Sequence, residues 1–187
     1  MIIGITGWFA GGKDTVGDYL VEKKGYKRVS LSDIIRDHLR AEGKELIREN
    51  LLQKGNELRA EFGTGYLAEQ ALKKINETGG DWVVPAVRQT GEVEALKKSP
   101  DFELWEIYAP IEIRFQRMQA RNKGGEDDAI KTIDDLVAKE EQEKSGANNA
   151  PQIDLTTAMA DRKIDNSGNF DDLYQKIDKI ILELGEK

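Results

Sequence analysis

The first fifteen residues, MIIGITGWFAGGKDT, constrain this chain more than any other stretch. Ile2, Ile3 and Ile5 form a short β-branched apolar run from Met1 to Thr6 that reads as a buried strand, ended by Gly7. Gly7, Gly12 and Lys13 then hold the spacing Gly-x-x-x-x-Gly-Lys, and Val16, Tyr19, Leu20 and Val21 follow at helical spacing. A strand, a glycine loop, a lysine and a helix together suit a phosphate. Glycines let backbone N–H groups turn inward, the helix N-terminus adds partial positive charge, and the lysine neutralises β- and γ-phosphates. Gly7, Ala10, Gly11, Gly12, Lys13, Asp14 and Thr15 are therefore the expected ATP-binding segment. The position after the lysine, normally Ser or Thr, is Asp14, with Thr15 next. An acid so near a triphosphate is tolerated when a cation lies between, so Asp14 and Thr15 are the candidate metal residues, for Mg2+.

The rest of the chain limits what surrounds that loop. Its 187 residues suit a single domain with a substantial core. The net charge of −7 argues against a nucleic-acid surface, so the basic residues are expected to act locally. With no cysteine, disulfides and thiolate metal sites are excluded. No basic leader and no apolar run of membrane-spanning length is present, so no membrane partner and a cytoplasmic location are expected.

In chain order, the first helix should run to about Lys24 and stop at Gly25, with a second strand over 26–31. Ser32 can cap a helix over 33–41, and amphipathic stretches over 45–62 and 66–75 predict two more. Asp81-Trp-Val-Val-Pro85 reads as a buried strand, followed by a short helix over 92–98 and a strand over 102–108. A helix from Pro110 carries Arg114, Arg117 and Arg121, then come a polar loop over 122–128, a charged helix over 130–144 and a flexible connection over 145–151. Residues 160–165 read as a last strand, Asn166-Ser-Gly168 as a turn, and 170–184 as a terminal helix. Five short strands alternating with helices predict an α/β sandwich of three layers, a five-stranded parallel sheet covered on both faces. Ligands bind beyond the carboxyl ends of such strands, which gathers the glycine loop, Ser32-Asp33, Pro85 to Arg88, Pro110 and Asn166 at one site.

Phosphoryl transfer needs positive charge around the moving group and something to orient the acceptor. Arg36, Arg59 and Arg88 are candidates by position, and Arg114, Arg117 and Arg121 share one helical face by their spacing. A like-charged stack is relieved by a bound anion, or by pairing with Glu112 and Glu126-Asp127-Asp128. Asp33 reads as a first-turn acid favoured by the helix dipole, or as an acceptor-orienting group. His38 reads as a half-buried helix residue rather than a catalyst, and Trp8 as a packing residue or as a shield for the phosphates or a stacking partner for a base.

Taken together, Gly4-Ile-Thr-Gly with Gly-Gly-Lys13, Leu31-Ser-Asp33-Ile-Ile-Arg36, Asn56-Glu-Leu-Arg59, Val87-Arg88 with Glu92, Arg114 to Asp128, and Ala160-Asp161 with Ile164-Asp165-Asn166-Ser-Gly168 resemble a known superfamily. It is the P-loop nucleoside-monophosphate-kinase superfamily, with likeness to dephospho-CoA-kinase-like and adenylate-kinase-related proteins and to deoxynucleoside monophosphate kinases. The resemblance implies a P-loop NTPase core (1–32, 76–113, 152–187), a helical acceptor-binding region (33–75) and a lid (114–151). It implies catalytic roles for Lys13, Asp33, Arg88, Arg117 and Arg121, acceptor contacts from Asp33, Arg36, Arg59 and Arg88, and ATP contacts from Arg117, Asn166 and Gly168. The expected activity is ATP- and Mg2+-dependent transfer to a small nucleotide-like acceptor, a (deoxy)nucleoside monophosphate ahead of dephospho-CoA. The chain departs from the pattern at Pro85-Ala86-Val87-Arg88, where relatives carry Asp-Gly before the arginine. That departure keeps a nucleotide-binding regulatory protein without kinase turnover as the alternative.

Overall fold

The computed structural model describes residues 1–121, 130–142 and 151–185. Five strands form one all-parallel sheet: β1 (Ile2–Thr6), β2 (Lys27–Arg28), β3 (Trp82–Val84), β4 (Phe102–Tyr108) and β5 (Arg162–Asp165), in the order β2-β3-β1-β4-β5. The strand that leads into the glycine loop is thus central, with β3 and β4 on either side. This is the α/β architecture the alternation of strands and helices predicts.

Alternation along the strands sorts the core into two layers. Ile3, Ile5, Val83, Trp105, Ile107 and Ile164 face α1 (Lys13–Lys24) and α9 (Phe170–Gly185) through Val16, Leu20, Leu173 and Ile177. Ile2, Trp82, Val84, Phe102 and Leu104 face the other layer, built from α2 (Leu31–Ala41), α3 (Arg48–Phe62), α4 (Tyr66–Thr78) and α5 (Thr90–Leu96). A third cluster of Met118, Ile130 and Leu136 joins α6 (Ile111–Arg121) to α7 (Ile133–Gln142), and Phe9 and Ala10 of the glycine loop pack against it. No helix among the described residues is long and apolar enough to cross a membrane.

Several boundaries differ from expectation for local reasons. Ser30, not Ser32, caps α2: its hydroxyl accepts from Ser32 N, and Asp33 closes a capping box by accepting from Ser30 N at 3.2 Å. The chain therefore turns into helix at Leu31, which cuts β2 to two residues and keeps Asp33 in the first helical turn, as its third residue rather than its first. A similar exchange sets the start of α7 at Ile133 instead of Ile130, with Asp135 accepting from Lys131 N and Thr132 N and donating its own N–H to Thr132 Oγ1. Helix α3 begins at Arg48 rather than residue 45, and β5 begins at Arg162 rather than 160. One element is unexpected: α8 (Ile153–Ala158), anchored by Ile153 and Thr156. The expected polar loop over 122–128 and most of the expected connection over 145–151 lie outside the described residues.

Candidate active site

The glycine loop joins the C-terminal end of β1 to α1. Gly7 and Gly11 are packed so closely on β4 that a Cβ at either would stand 2.5 or 2.9 Å from the Ile107 carbonyl oxygen. Gly12 has φ 101, and a Cβ there would stand 2.1 Å from Asn166 Nδ2. That amide, on a 4% exposed side chain, donates to Gly11 O at 2.8 Å, so the turn after β5 clamps the loop from outside. Lys13 Nζ donates to Gly7 O at 2.8 Å and Trp8 O at 2.7 Å, which curls the loop around its own ammonium group. The residue that starts α1, Gly12, offers no side-chain cap. The first turn of α1 therefore presents N–H groups and the positive end of the helix dipole to the cradle. These features fit a nucleotide triphosphate. Asp14 is exposed and Thr15 half-buried on that first turn. No group of three metal-ligating side chains exists among the described residues. The carboxylate of Asp14 and the hydroxyl of Thr15 are oxygen donors of the kind Mg2+ takes beside substrate phosphates.

The expected arginines divide in two. Arg114 is 6% exposed and fully engaged: Nε donates to Ala109 O at 2.9 Å, one terminal nitrogen donates to Phe9 O at 3.2 Å, and the guanidinium forks onto both oxygens of buried Glu140 on α7. It therefore belongs to no phosphate-facing stack, and its carboxylate partner among the described residues is Glu140 rather than Glu112. Charge on Arg114 is neutralised where the loop, β4 and α7 meet. Arg117, one turn on, donates to Asn166 O at 2.8 Å and so joins α6 to the turn after β5 near Gly12. Arg121 ends α6, and its side chain lies outside the described residues, as do Gly124-Gly125 and Glu126-Asp127-Asp128. Gly168 lies in the turn after β5, where a Cβ would stand 2.7 Å from Asp172 Oδ2.

On the other sheet face, Asp33 Oδ1 accepts from Arg36 at 2.7 Å while Oδ2 serves the cap. Arg59 on α3 makes a long contact, 3.5 Å, with Glu92 Oε1 on α5, and its Nε is buried with no hydrogen-bond partner among the described residues. Arg88 follows β3 as expected; its N–H donates to Glu92 Oε2 at 2.9 Å and its carbonyl accepts from Gln152 N at 2.8 Å. Sequence reasoning gave Glu92 no role, yet it is 2% exposed and ties Arg59 to the β3–α5 loop. Burial pushes its carboxyl up, opposed by the Arg88 N–H and the Arg59 charge. His38 Nε2 shares a hydrogen bond of 3.3 Å with the Tyr66 hydroxyl, joining α2 to α4. Two further polar groups were not anticipated: Thr6 and Glu106, both buried at the strand ends beside the loop. The signal for them was the sheet register, which a single strand pattern does not contain.

No protein-family model matches the chain. A UPF0200 protein of Methanosarcina mazei is 35% identical over 147 residues, covering 77% of this chain and 76% of that relative. The chain belongs to the UPF0200 family. A UPF0200/UPF0201 protein of Archaeoglobus fulgidus is 31% identical over 99% of this UPF0200 chain, which spans 56% of that relative's length. Among solved structures, shikimate kinase from Bacteroides thetaiotaomicron superposes with TM-score 0.63 at 14% identity, covering 100% of this chain and 99% of that one. At that identity the likeness establishes the fold alone, a parallel α/β sandwich shared with that kinase. The UPF0200 name itself specifies no reaction.

Proposed function

We propose that this UPF0200 protein is an ATP- and Mg2+-dependent kinase acting on a small nucleotide-like acceptor, a (deoxy)nucleoside monophosphate ahead of dephospho-CoA. The observation that carries the reading is the closed cradle: Lys13 bonded to the carbonyls of Gly7 and Trp8, in front of a helix whose starting residue, Gly12, offers no side-chain cap. Bound Mg2+ would supply charge neutralisation between phosphates. Lys13 and the loop amides hold the β- and γ-phosphates, with Asp14 and Thr15 beside the metal. Asp33 and Arg36 place the acceptor, with Arg59 and Arg88 on the same side of the sheet. Arg88, Arg117 and Arg121 stabilise charge on the transferring group. Residues 114–151 act as the lid that excludes water, and 33–75 as the acceptor region.

The test is an ATP-consumption screen over nucleoside monophosphates and dephospho-CoA, with shikimate included because the B. thetaiotaomicron neighbour is a shikimate kinase. Turnover should appear with one class of acceptor and fall at least about a hundredfold in Lys13→Ala, the loss expected of a group aimed at developing phosphate charge. Unchanged transfer by Lys13→Ala would overturn these roles. The alternative, a regulatory nucleotide-binding protein, is favoured by the absence of an acid at Pro85-Ala86-Val87-Arg88. It predicts ATP binding by calorimetry with no acceptor phosphorylated across the panel.

A further inference from the structure

Strand β3 ends at Val84 without an acid, yet a carboxylate lies in the same layer of the sheet, on the far side of β1. Glu106 pairs in register with Thr6, the residue immediately before Gly7. Strand alternation puts Glu106 on the face of Phe102 and Leu104, and Thr6 on the face of Ile2. That is the face covered by α2 to α5, opposite the layer of α1 and α9. The segment after β3 runs along the other side of Thr6, because Val87 N donates to Ile5 O at 2.9 Å. Thr6 therefore stands between the place an acid would occupy after β3 and the acid present on β4.

The Thr6 hydroxyl is unsatisfied, and Glu106 is only loosely paired. Thr6 is 0% exposed, and its Oγ1 has no hydrogen-bond partner among the described residues. Glu106 is 7% exposed, and its ion pair with Lys163 is long, Nζ to Oε2 3.4 Å. Lys163 is itself 57% exposed, with its ammonium 4.1 Å from the centre of the Tyr108 ring, so it can move to solvent without leaving a buried charge. A buried hydroxyl without a partner beside a loosely paired buried carboxylate costs stability, and native chains keep such pairs where a bound species completes them.

We propose that Glu106, together with the Thr6 hydroxyl, holds the water shell of the magnesium ion at the phosphate cradle, in place of the acid absent after β3. This rests on the ATP and magnesium reading above. Mg2+ takes one or two carboxylates beside phosphate oxygens and retains several waters. Asp14 and Thr15 on one side and Glu106 through water on the other make up such a set. The donors come from two neighbouring strand ends, which rigid pairing holds in place.

The experiment is calorimetric titration of the non-hydrolysable analogue AMP-PNP with and without Mg2+, with Mn2+ electron paramagnetic resonance as a second readout. The wild type should bind more tightly with Mg2+. Glu106→Gln, nearly isosteric, should keep its metal-free affinity and lose about tenfold of magnesium-dependent affinity, the scale of an outer-shell metal contact. Its Mn2+ spectrum in the nucleotide complex should change. Thr6→Val should lose roughly threefold, less than the carboxylate because it gives up a single hydrogen bond; a packing role alone would leave its magnesium gain intact. An undiminished gain in Glu106→Gln overturns this assignment and leaves the kinase reading standing. If Glu106→Gln does not fold, Thr6→Val decides by the same reading. A wild type that binds no AMP-PNP overturns the kinase reading itself, and this assignment with it.

Discussion

The loop after β1 and the loop after β3 lie side by side at the carboxyl edge of the sheet, and each holds one alanine in the left-handed region, Ala10 at φ 53 and Ala86 at φ 59. They treat the helix that follows in opposite ways. Helix α5 is closed by its own acid, since Glu92 Oε2 accepts from both Arg88 N and Gln89 N. Helix α1 starts on Gly12, with no side-chain cap. First-turn N–H groups are strong donors that something must satisfy. The first turn of α5 carries an acid that takes the loop N–H groups of Arg88 and Gln89, whereas Gly12 has no side chain with which to cap α1, whose first-turn donors face the β1 loop. Under the kinase proposal, backbone recognition of phosphate would belong to the first loop, and Arg88 would contribute through its guanidinium, since its N–H is taken by Glu92.

Gly12→Ala is the strongest way to break that contrast. The new Cβ meets Asn166 Nδ2, and φ 101 strains any L-residue. Left-handed strain of about 1–2 kcal/mol adds to the loss of the Asn166 to Gly11 hydrogen bond, about 1 kcal/mol. Urea unfolding should show a loss of about 2–3 kcal/mol, and calorimetry should show ATP binding gone. Retained ATP affinity would mean that the clamp by Asn166, and not the open helix start, is dispensable to the cradle.

That first loop was legible in the sequence because everything that shapes it lies within a dozen residues: the apolar run, the glycines and the lysine. Strand β4 was equally legible, its run from Phe102 to Tyr108 before Pro110 having the bounds seen. The second loop was not, because its shape depends on Glu92, Arg59 and Gln152, drawn from three elements. The arginines show the same divide. Spacing put Arg114 and Arg117 on one face, but only packing reveals that Glu140, on another helix, takes Arg114 out of the site. Helix α8 was missed for want of a pattern, its six residues being too few for helical periodicity to register.

The closure of the second loop is electrostatically opposed to itself, and pH exposes this. Burial raises the Glu92 carboxyl, while the Arg88 N–H, the Arg59 charge and the Gln89 N–H pull it back. A carboxyl raised in the folded state holds a proton that the unfolded chain has released. Its contribution is therefore fully present below the ordinary glutamate value near ~4.3 and falls as pH rises through the folded-state value. Glu92→Gln lacks that titration. As pH rises from below the ordinary glutamate value, Tm of the wild type should fall relative to Glu92→Gln. A difference that stays flat would show that Arg59 and the two amides fully offset burial, which would make the second loop as well satisfied as the first.

Ala86→Gly is the smallest perturbation and separates strain from closure. Relief of the left-handed alanine should stabilise the fold by about 1 kcal/mol, while the added freedom of glycine in the unfolded chain removes about 0.4–1 kcal/mol. The two nearly cancel, so urea unfolding should place the variant within about 0.5 kcal/mol of the wild type. The backbone should keep its course, because Val87 N on Ile5 O and Gln152 N on Arg88 O fix it from both sides without help from the Ala86 side chain. A stabilisation well above 1 kcal/mol would mean that the rest of the protein forces Ala86 into its conformation against a larger penalty. The second loop would then be a strained element held open by its neighbours, and Ala10, in the same conformation beside the cradle, would be the next residue to replace.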